Sequence, residues 1–313
     1  ARLKEIFKKY GTSGMFYAHA SVGTLHVRPV LNMKSDKDIQ NMRSISEEAF
    51  EMVKDYKGSH SGEHGDGIVR SEFHEMMFGK KITNAFEEIK DTFDSKNLLN
   101  PGKIVRPFKS NDRSLMRYKS GYQTENIDTH YDWSNWGQFS DAVEMCNNNG
   151  ACRKLDSGVM CPSYRVTKEE KDLVRGRANT LRLALSNQLP EGSFASKEMY
   201  ETMELCVSCK ACQRECPMSV DMAKMKSEFL SHYYKKFSMR IKDRVISDMP
   251  RLIWLLKIVA PIFNKVKNLP LISTIVEKFG FATARTMPEV QNQNALREIY
   301  DSQTVSENKV ILF

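Results

Sequence analysis

The run Cys206-Val-Ser-Cys209-Lys-Ala-Cys212-Gln-Arg-Glu-Cys216-Pro217 decides how the second half of this chain is read. Its spacing is C-x2-C-x2-C-x3-C-P. Three close thiolates reach three irons of one [4Fe-4S] cube, whereas the fourth, past the turn that Pro217 helps to end, points away to another cluster. Zinc ligands more often come as two separated C-x2-C or Cys/His pairs. A companion lies upstream: Cys146-Asn-Asn-Asn149-Gly-Ala-Cys152, then eight residues, then Cys161-Pro162. It keeps the first and third cysteines and the final Cys-Pro, lengthens the last spacer, and carries Asn149 where the second cysteine belongs. Crossed ligation assigns Cys161, Cys206, Cys209 and Cys212 to one full [4Fe-4S] cluster. Cys146, Cys152 and Cys216 are left to hold the second, as [4Fe-4S] or [3Fe-4S] on three thiolates. Asn149, His130, another side chain, water or a thiol outside this chain are open as ligands to its fourth iron. The plainer alternative makes Cys146 and Cys152 ordinary buried thiols.

Outward from the cysteines, Arg153, Lys154, Arg175, Arg177 and Lys210 are placed to offset cluster charge, or to lie on solvated helix faces. All seven cysteines fall between Cys146 and Cys216. An odd, clustered number excludes a secreted disulfide framework and points to a reducing cytoplasm. The 313 residues, 27% charged and 41% hydrophobic, are enough for two domains with cores of their own. The net charge of +8 is concentrated from Asp221 to Lys267, where eleven Lys and Arg face four acids. A membrane surface or an acidic partner would read that patch; nucleic acid is not expected, because no recognisable binding module accompanies the charge.

Helical spacing predicts elements over Lys168–Gln188, Ser196–Leu205, Asp221–Phe237, Leu252–Phe263 and Leu271–Phe281. The twelve residues of Leu252–Phe263 are too few to span a bilayer, which takes roughly 20. Residues 109–139 are polar and aperiodic and read as a linker. Before them, a strand-like stretch runs from Gly14 to Met33, a helix over Ser35–Tyr56, a glycine-rich loop from Gly58 to Gly67, and a second helix over Ile82–Phe93 that Asn100-Pro101-Gly102 follows as a stop. These features give an α+β unit over 1–108, a helical iron-sulfur region over 140–240, and an apolar, basic helical extension over 241–313.

The α+β unit holds its own chemistry. His19 and His26 are seven apart, and Gly23 between them lets the chain turn so that both can meet one ligand. Alternation puts His26 and Arg28 on one face and Leu25 and Val27 on the other, expected to be the core side. Imidazole beside guanidinium suits a carboxylate. Gly62-Glu63-His64-Gly65-Asp66-Gly67 sets a carboxylate and an imidazole among glycines, suited to metal ligation, proton transfer or a bare turn.

Taken together, His19-x6-His26-x-Arg28-Pro29, Gly62-Glu-His-Gly-Asp-Gly67 and Leu99-Asn-Pro-Gly-Lys103 resemble the C-terminal cap domain of FAD-linked oxidases of the vanillyl-alcohol-oxidase type. With the cysteines that follow, the order is similar to bacterial fusions of an FAD-dependent D-2-hydroxyacid dehydrogenase with a glycolate-oxidase-like iron-sulfur subunit. The resemblance covers about residues 10 to 235. It implies an α+β cap domain followed by a mainly α-helical, two-cluster, ferredoxin-like domain. It implies oxidation of a D-2-hydroxyacid such as D-lactate, D-2-hydroxyglutarate or glycolate, with FAD in the full-length protein and electrons leaving through the clusters. His19, His26 and Glu63 match positions that bind a divalent metal, often zinc; His64 matches the proton acceptor, Arg28 is a candidate for the substrate carboxylate, and Asn100 and Lys103 fall where such proteins approach the flavin. The usual Gly-His-x-Gly-Asp-Gly-Asn-Leu-His is here Ala18-His-Ala-Ser-Val-Gly-Thr-Leu-His26.

Ala1 in place of Met and the apolar end at Val310–Phe313 lead to the expectation that this is a piece of a longer polypeptide, with an FAD-binding domain before it and a further region after it. Such a piece is expected to bind FAD weakly or not at all by itself. The expected partners are that missing domain, a small 2-hydroxyacid, and an electron acceptor that is a quinone, a cytochrome or a flavoprotein. The expected place is the cytoplasm, with peripheral attachment at the inner face of the membrane left open. The competing reading is an electron-transfer module in which the histidines do no chemistry.

Overall fold

The computed structural model describes residues 1–282, 284, 289 and 290. The remainder of the expected extension, including the apolar residues 310–313, lies outside the described residues. The chain is mainly helical, with one two-stranded sheet among the described residues, and divides into two compact units between Glu125 and Asn126.

In the first unit, helix α1 (Arg2–Lys9) precedes an antiparallel hairpin of β1 (Gly14–His19) and β2 (Thr24–Pro29). Gly14 pairs with Pro29, Tyr17 with His26 and His19 with Thr24. A single 3-10 turn joins the strands, and Gly23 closes it at φ 68°, a left-handed conformation that costs glycine little. Because cross-strand partners share a face, Tyr17, His19, Thr24, His26 and Arg28 stand on the same side. The expected core face is only partly one. Phe7 of α1 packs on Phe16 at 5.6 Å near the open end of the hairpin, but Leu25, near the turn, is 65% exposed. Among the described residues, a two-stranded ribbon with one short helix against it leaves that tip uncovered.

Helix α2 (Asp36–Asp55) starts where the Ser35 hydroxyl accepts from the Asp38 N–H at 3.3 Å, and it buries Ile39, Ile45 and Met52. Two five-residue helices follow, α3 (Gly67–Ser71) and α4 (His74–Phe78), then α5 (Lys80–Phe93). Phe50, Phe73, Phe78 and Phe86 form an aromatic knot that encloses His60 and His74.

The polar stretch 109–139 is tethered on both sides of the division. In the first unit Arg113 donates to the Met33 carbonyl at 2.7 Å and the Ser110 N–H to Glu72 at 2.8 Å. In the second, the fully buried Glu228 accepts from His130 N–H, Tyr131 N–H and Trp133 Nε1 at 2.9, 3.0 and 3.0 Å.

The second unit packs α6 (Phe139–Glu144), α8 (Val174–Leu185), α9 (Lys197–Glu204) and α11 (Met222–Lys236) around Val143, Leu173, Leu181, Leu185, Met203, Met225 and Phe229. Short helices α7 (Pro162–Thr167) and α10 (Ala211–Glu215) begin within the cysteine motifs. The helix expected from Lys168 begins only at Val174. Lys168, at φ 61°, ends α7, and a 3-10 turn over Glu170–Asp172 folds back so closely that a Cβ on Gly176 would sit 2.0 Å from the Glu170 carbonyl oxygen. Beyond them, α12 (Ile241–Val266) runs through Pro250 and Pro261 and is longer than expected, and α13 (Pro270–Lys278) follows. No described helix is long and apolar enough to cross a membrane.

Candidate functional site

The hairpin and the glycine loop meet at Glu63. Its Oε1 lies 3.3 Å from His19 Nε2, 3.0 Å from His26 Nε2 and 3.2 Å from His64 Nε2. One donor atom each from His19, His26 and Glu63 lies within 4.8 Å of the other two. A close approach makes this possible: a Cβ on Gly62 would stand 2.8 Å from Thr24 Cγ2, so only a bare backbone brings the loop this near to β2. The side chains of His19 and His64 are about half exposed, and that of His26 is 13% exposed. His26 Nε2 is buried and closes no hydrogen bond despite its 3.0 Å approach to Glu63. Donors that crowd one point without aiming at each other suit a cation between them. Tyr17 stacks on His26 with ring centroids 4.8 Å apart, and the Arg28 guanidinium lies 5.0 Å over the same tyrosine. Arg28 is thereby kept on the histidine face.

Asn100 and Lys103 come together, Lys103 Nζ donating to Asn100 Oδ1 at 3.4 Å. They line an open groove with Phe86, Ile89, Ile104 and Gly67, the last residue of the glycine loop. Gly102 between them has φ 76°, and Phe108 would overlap any Cβ placed on it.

Reasoning from sequence passed over His60 and His74. Asp66 Oδ2 and His74 Nε2 are 2.9 Å apart, and His60 Nε2 is 3.9 Å from Asp66 Oδ1. Burial pushes the His60 imidazole below its ordinary value. Burial opposes ionisation of Asp66, but hydrogen bonds from His74 and Ser61 outweigh it and hold the carboxyl below the usual range. Separations of six and eight residues, across a loop and two short helices, form no recognised spacing, so only the aromatic knot brings the three together.

In the second unit, Cys161, Cys206, Cys209 and Cys212 line one cavity with Val174, Arg177, Lys210 and Met222. Burial pushes the Cys161 thiol up to about 12 and the Cys212 thiol to about 11, so each needs a metal to be a thiolate at neutral pH. Backbone donors are already aimed at the sulfurs: the Val174 N–H, first in α8, reaches Cys161 Sγ at 3.3 Å. The Arg175 N–H next to it serves Cys152, whose thiol burial also raises, and the Met222 and Ala223 N–H groups at the start of α11 serve Cys212. Helix N-termini favour the anionic sulfur of a cluster ligand, and the donor set fits an iron-sulfur group. Cys216 is outside this cavity's lining, whereas Cys146 and Cys152 are close enough to interact electrostatically.

Of the basic residues singled out, Arg177 is buried in the cavity wall, tied to the Thr202 and Asp172 carbonyls at 2.9 and 2.7 Å, and Lys210 also lines it. Arg175 pairs with Glu170 at 2.5 Å, Arg153 bonds to the Tyr164 hydroxyl at 3.3 Å, and Lys154 is exposed. Two further residues carried no signal in the sequence. Lys226 donates to the Cys206 carbonyl at 2.6 Å, and burial pulls its pKa down. Glu215 accepts from the Val159 and Met160 N–H groups at 2.9 and 3.1 Å and so fastens the loop before Cys161 to the downstream motif. The Asn149 amide is engaged locally, bonding to Asn147 Oδ1 and accepting from Ala151 N–H; Asn148 Oδ1 instead faces Cys146 Sγ at 3.9 Å. His130 is exposed, beside His232.

Residues 1–104 match the family described as FAD linked oxidases, C-terminal domain, and residues 142–220 match the 4Fe-4S dicluster domain. The chain is similar to D-2-hydroxyglutarate dehydrogenase of Haemophilus influenzae, 30% identical over 92% of this chain and 31% of the relative. The protein of the same name from Escherichia coli K12 is 28% identical over 89% of this chain and 30% of its own length. D-lactate dehydrogenase of Archaeoglobus fulgidus is 33% identical over 34% of this chain and 23% of the relative. The chain thus spans about 30% of the length of the first two curated relatives. No solved structure matches. The chain comprises a C-terminal domain of the FAD-linked oxidase family followed by a 4Fe-4S dicluster domain.

Proposed function

We propose that this chain is the substrate cap and electron-exit domain of a flavin-dependent D-2-hydroxyacid dehydrogenase. The observation that carries the reading is the convergence of His19, His26 and His64 on Glu63 Oε1, with Arg28 on the same hairpin face. His19, His26 and Glu63 hold a divalent cation, for which zinc suits a donor set of two imidazoles and a carboxylate. When bound, the cation polarises the substrate hydroxyl and lowers its pKa. Arg28 pairs with the substrate carboxylate, and the stacked Tyr17 holds the guanidinium in place. His64 Nε2 accepts the hydroxyl proton and Glu63 supports the imidazolium that results. Asn100 and Lys103, which line a groove with Phe86, Ile89 and Ile104, would meet the flavin, which would supply the hydride acceptor in the full-length protein.

In the second unit, Cys161, Cys206, Cys209 and Cys212 hold a [4Fe-4S] cluster, and Cys146, Cys152 and Cys216 hold a cluster one protein thiolate short. Supporting this reading are the four-cysteine cavity and the N–H groups directed at Cys161, Cys152 and Cys212. The test is steady-state oxidation of D-2-hydroxyglutarate and D-lactate by the full-length protein and by His26→Ala and Glu63→Gln. A loss of at least about 100-fold, with zinc content falling in parallel, is expected. Unchanged turnover would leave only the electron-transfer module.

A second reading concerns where electrons leave. α12 and α13 expose Ile246, Ile253, Ile258, Ile262, Leu271 and Ile275 within the basic part of the chain. That combination favours contact with an anionic membrane surface and a quinone acceptor there. Co-flotation with anionic liposomes that about 0.5 M salt, with a Debye length of about 4 Å, weakens is the expected result. Protein remaining at the bottom of the gradient would point instead to a soluble cytochrome or flavoprotein.

A further inference from the structure

His60, Asp66 and His74 form a second set of converging donors, made of residues distinct from those around Glu63. One ligand atom from each lies within 4.8 Å of the other two. The His60 side chain is 0% exposed and that of His74 3%, while Asp66, at 21%, keeps one side toward solvent. The walls are apolar: Phe50 and Phe78 stand 5.2 and 5.8 Å from the His60 ring, and Phe78 and Phe86 stand 5.5 and 6.1 Å from His74.

Inside those walls, polar atoms are left over. His74 Nδ1 and Asp66 Oδ1 are buried and close no hydrogen bond, and the buried His60 ring nitrogens close none of good geometry, the Arg70 carbonyl being the one backbone acceptor beside the ring. Native interiors rarely tolerate this, and each such group calls for an explanation. A hydrogen-bonded relay would account for His74 Nε2 and Asp66 Oδ2 at 2.9 Å, but not for His60 Nε2, 3.9 Å from Asp66 Oδ1. A cation accounts for all three. Zinc bonds of about 2.0–2.2 Å to nitrogen and oxygen set ligand atoms about 3.4 Å apart, inside the 4.8 Å spread of one donor atom from each residue. The Arg70 carbonyl beside the His60 ring also fits, since a metal-bound imidazole usually turns its second nitrogen to such a group.

We propose that His60, Asp66 and His74 bind a second divalent cation of the zinc class, completed by water at the open side of Asp66. Its role is to pin the Gly62–Gly67 loop, which carries Glu63 and His64, to the start of α4. The inference does not depend on the reaction assigned to the hairpin histidines.

The test uses the full-length polypeptide with its clusters intact and reads zinc content and melting temperature after chelation and after zinc is restored. Two zinc per chain are expected in the natural protein, and about one in His26→Gln, where only the second site survives. In His26→Gln, restoring zinc should raise the melting temperature, and adding His60→Gln or His74→Gln should abolish both that zinc and that rise. His26→Gln leaves the aromatic knot intact, so its result does not hinge on the folding of the His60 or His74 variants. Zinc absent from His26→Gln, or present there but unmoved by His60→Gln and His74→Gln, would overturn the proposal. Unchanged turnover in His26→Gln with the second zinc retained would count against the hairpin reading alone.

Discussion

At the scale of single residues, much of the candidate site depends on atoms that leave room or supply charge. Gly62 is the clearest case, because its missing Cβ lets the loop lie against Thr24 and sets Glu63 beside His19 and His26. Gly62→Ala is expected to move Glu63 away and weaken zinc binding about tenfold, as loss of a ligand-orienting contact does; isothermal titration with zinc measures it. Lys226 acts through charge. Its Nζ donates to the Cys206 carbonyl beside the cavity of Cys161, Cys206, Cys209 and Cys212, where burial disfavours the ammonium form and pulls the pKa down. Lys226→Met should lower the potential of that cluster by tens of mV, roughly the scale of one kcal/mol for a one-electron couple. Redox titration followed by EPR gives the value, and an unchanged potential would remove Lys226 from the electrostatics of the site.

At the scale of elements, helix starts and one carboxylate set the order of the second unit. α8 begins at Val174 rather than near Lys168, and that later start delivers two N–H groups to Cys161 and Cys152. Glu228 on α11 gathers the chain at residues 130–133 through three donors. Burial resists its ionisation, but the His130 N–H, the Trp133 indole and the Tyr131 N–H together hold its pKa below the ordinary 4.5. A folded pKa below the unfolded one means that this stabilisation is complete above about pH 4.5 and is lost as pH falls through the lowered value. Glu228→Ala strands these donors in the interior and should cost about 3 kcal/mol at neutral pH. Chemical denaturation at pH 7 and at pH 4 tests both parts: the difference between natural protein and variant should shrink at the lower pH.

At the scale of the whole molecule, the proposed crossed ligation would give each cluster ligands from both cysteine motifs, so that neither motif would be sufficient alone. Glu215 links them physically by holding the Val159 and Met160 N–H groups just before Cys161. Cys161→Ser is expected to perturb the EPR signal of the four-thiolate cluster, and Cys216→Ser that of the other. Both variants disturbing one and the same signal would refute crossed ligation. Anaerobically prepared protein should contain about seven or eight irons, seven if the cluster with three thiolates settles as [3Fe-4S].

The cysteine spacing and the three cap motifs were legible without coordinates because iron-sulfur and metal chemistry impose residue type and short-range spacing directly on the chain. The helical phases of α2, α5, α9 and α11 were legible for a similar reason: burial on one face leaves a period of 3.6 in the residues themselves. What folding alone decided depends on contacts between segments far apart in sequence. Leu25 lies exposed because no element among the described residues covers the hairpin tip, which strand alternation cannot reveal. Lys226 and Glu215 reach the cysteine motifs through backbone groups of other segments, and His60, Asp66 and His74 meet only because four phenylalanines close around them. Local chemistry is written in spacing, whereas the convergence of distant side chains is a product of packing, and packing exists only in the folded chain.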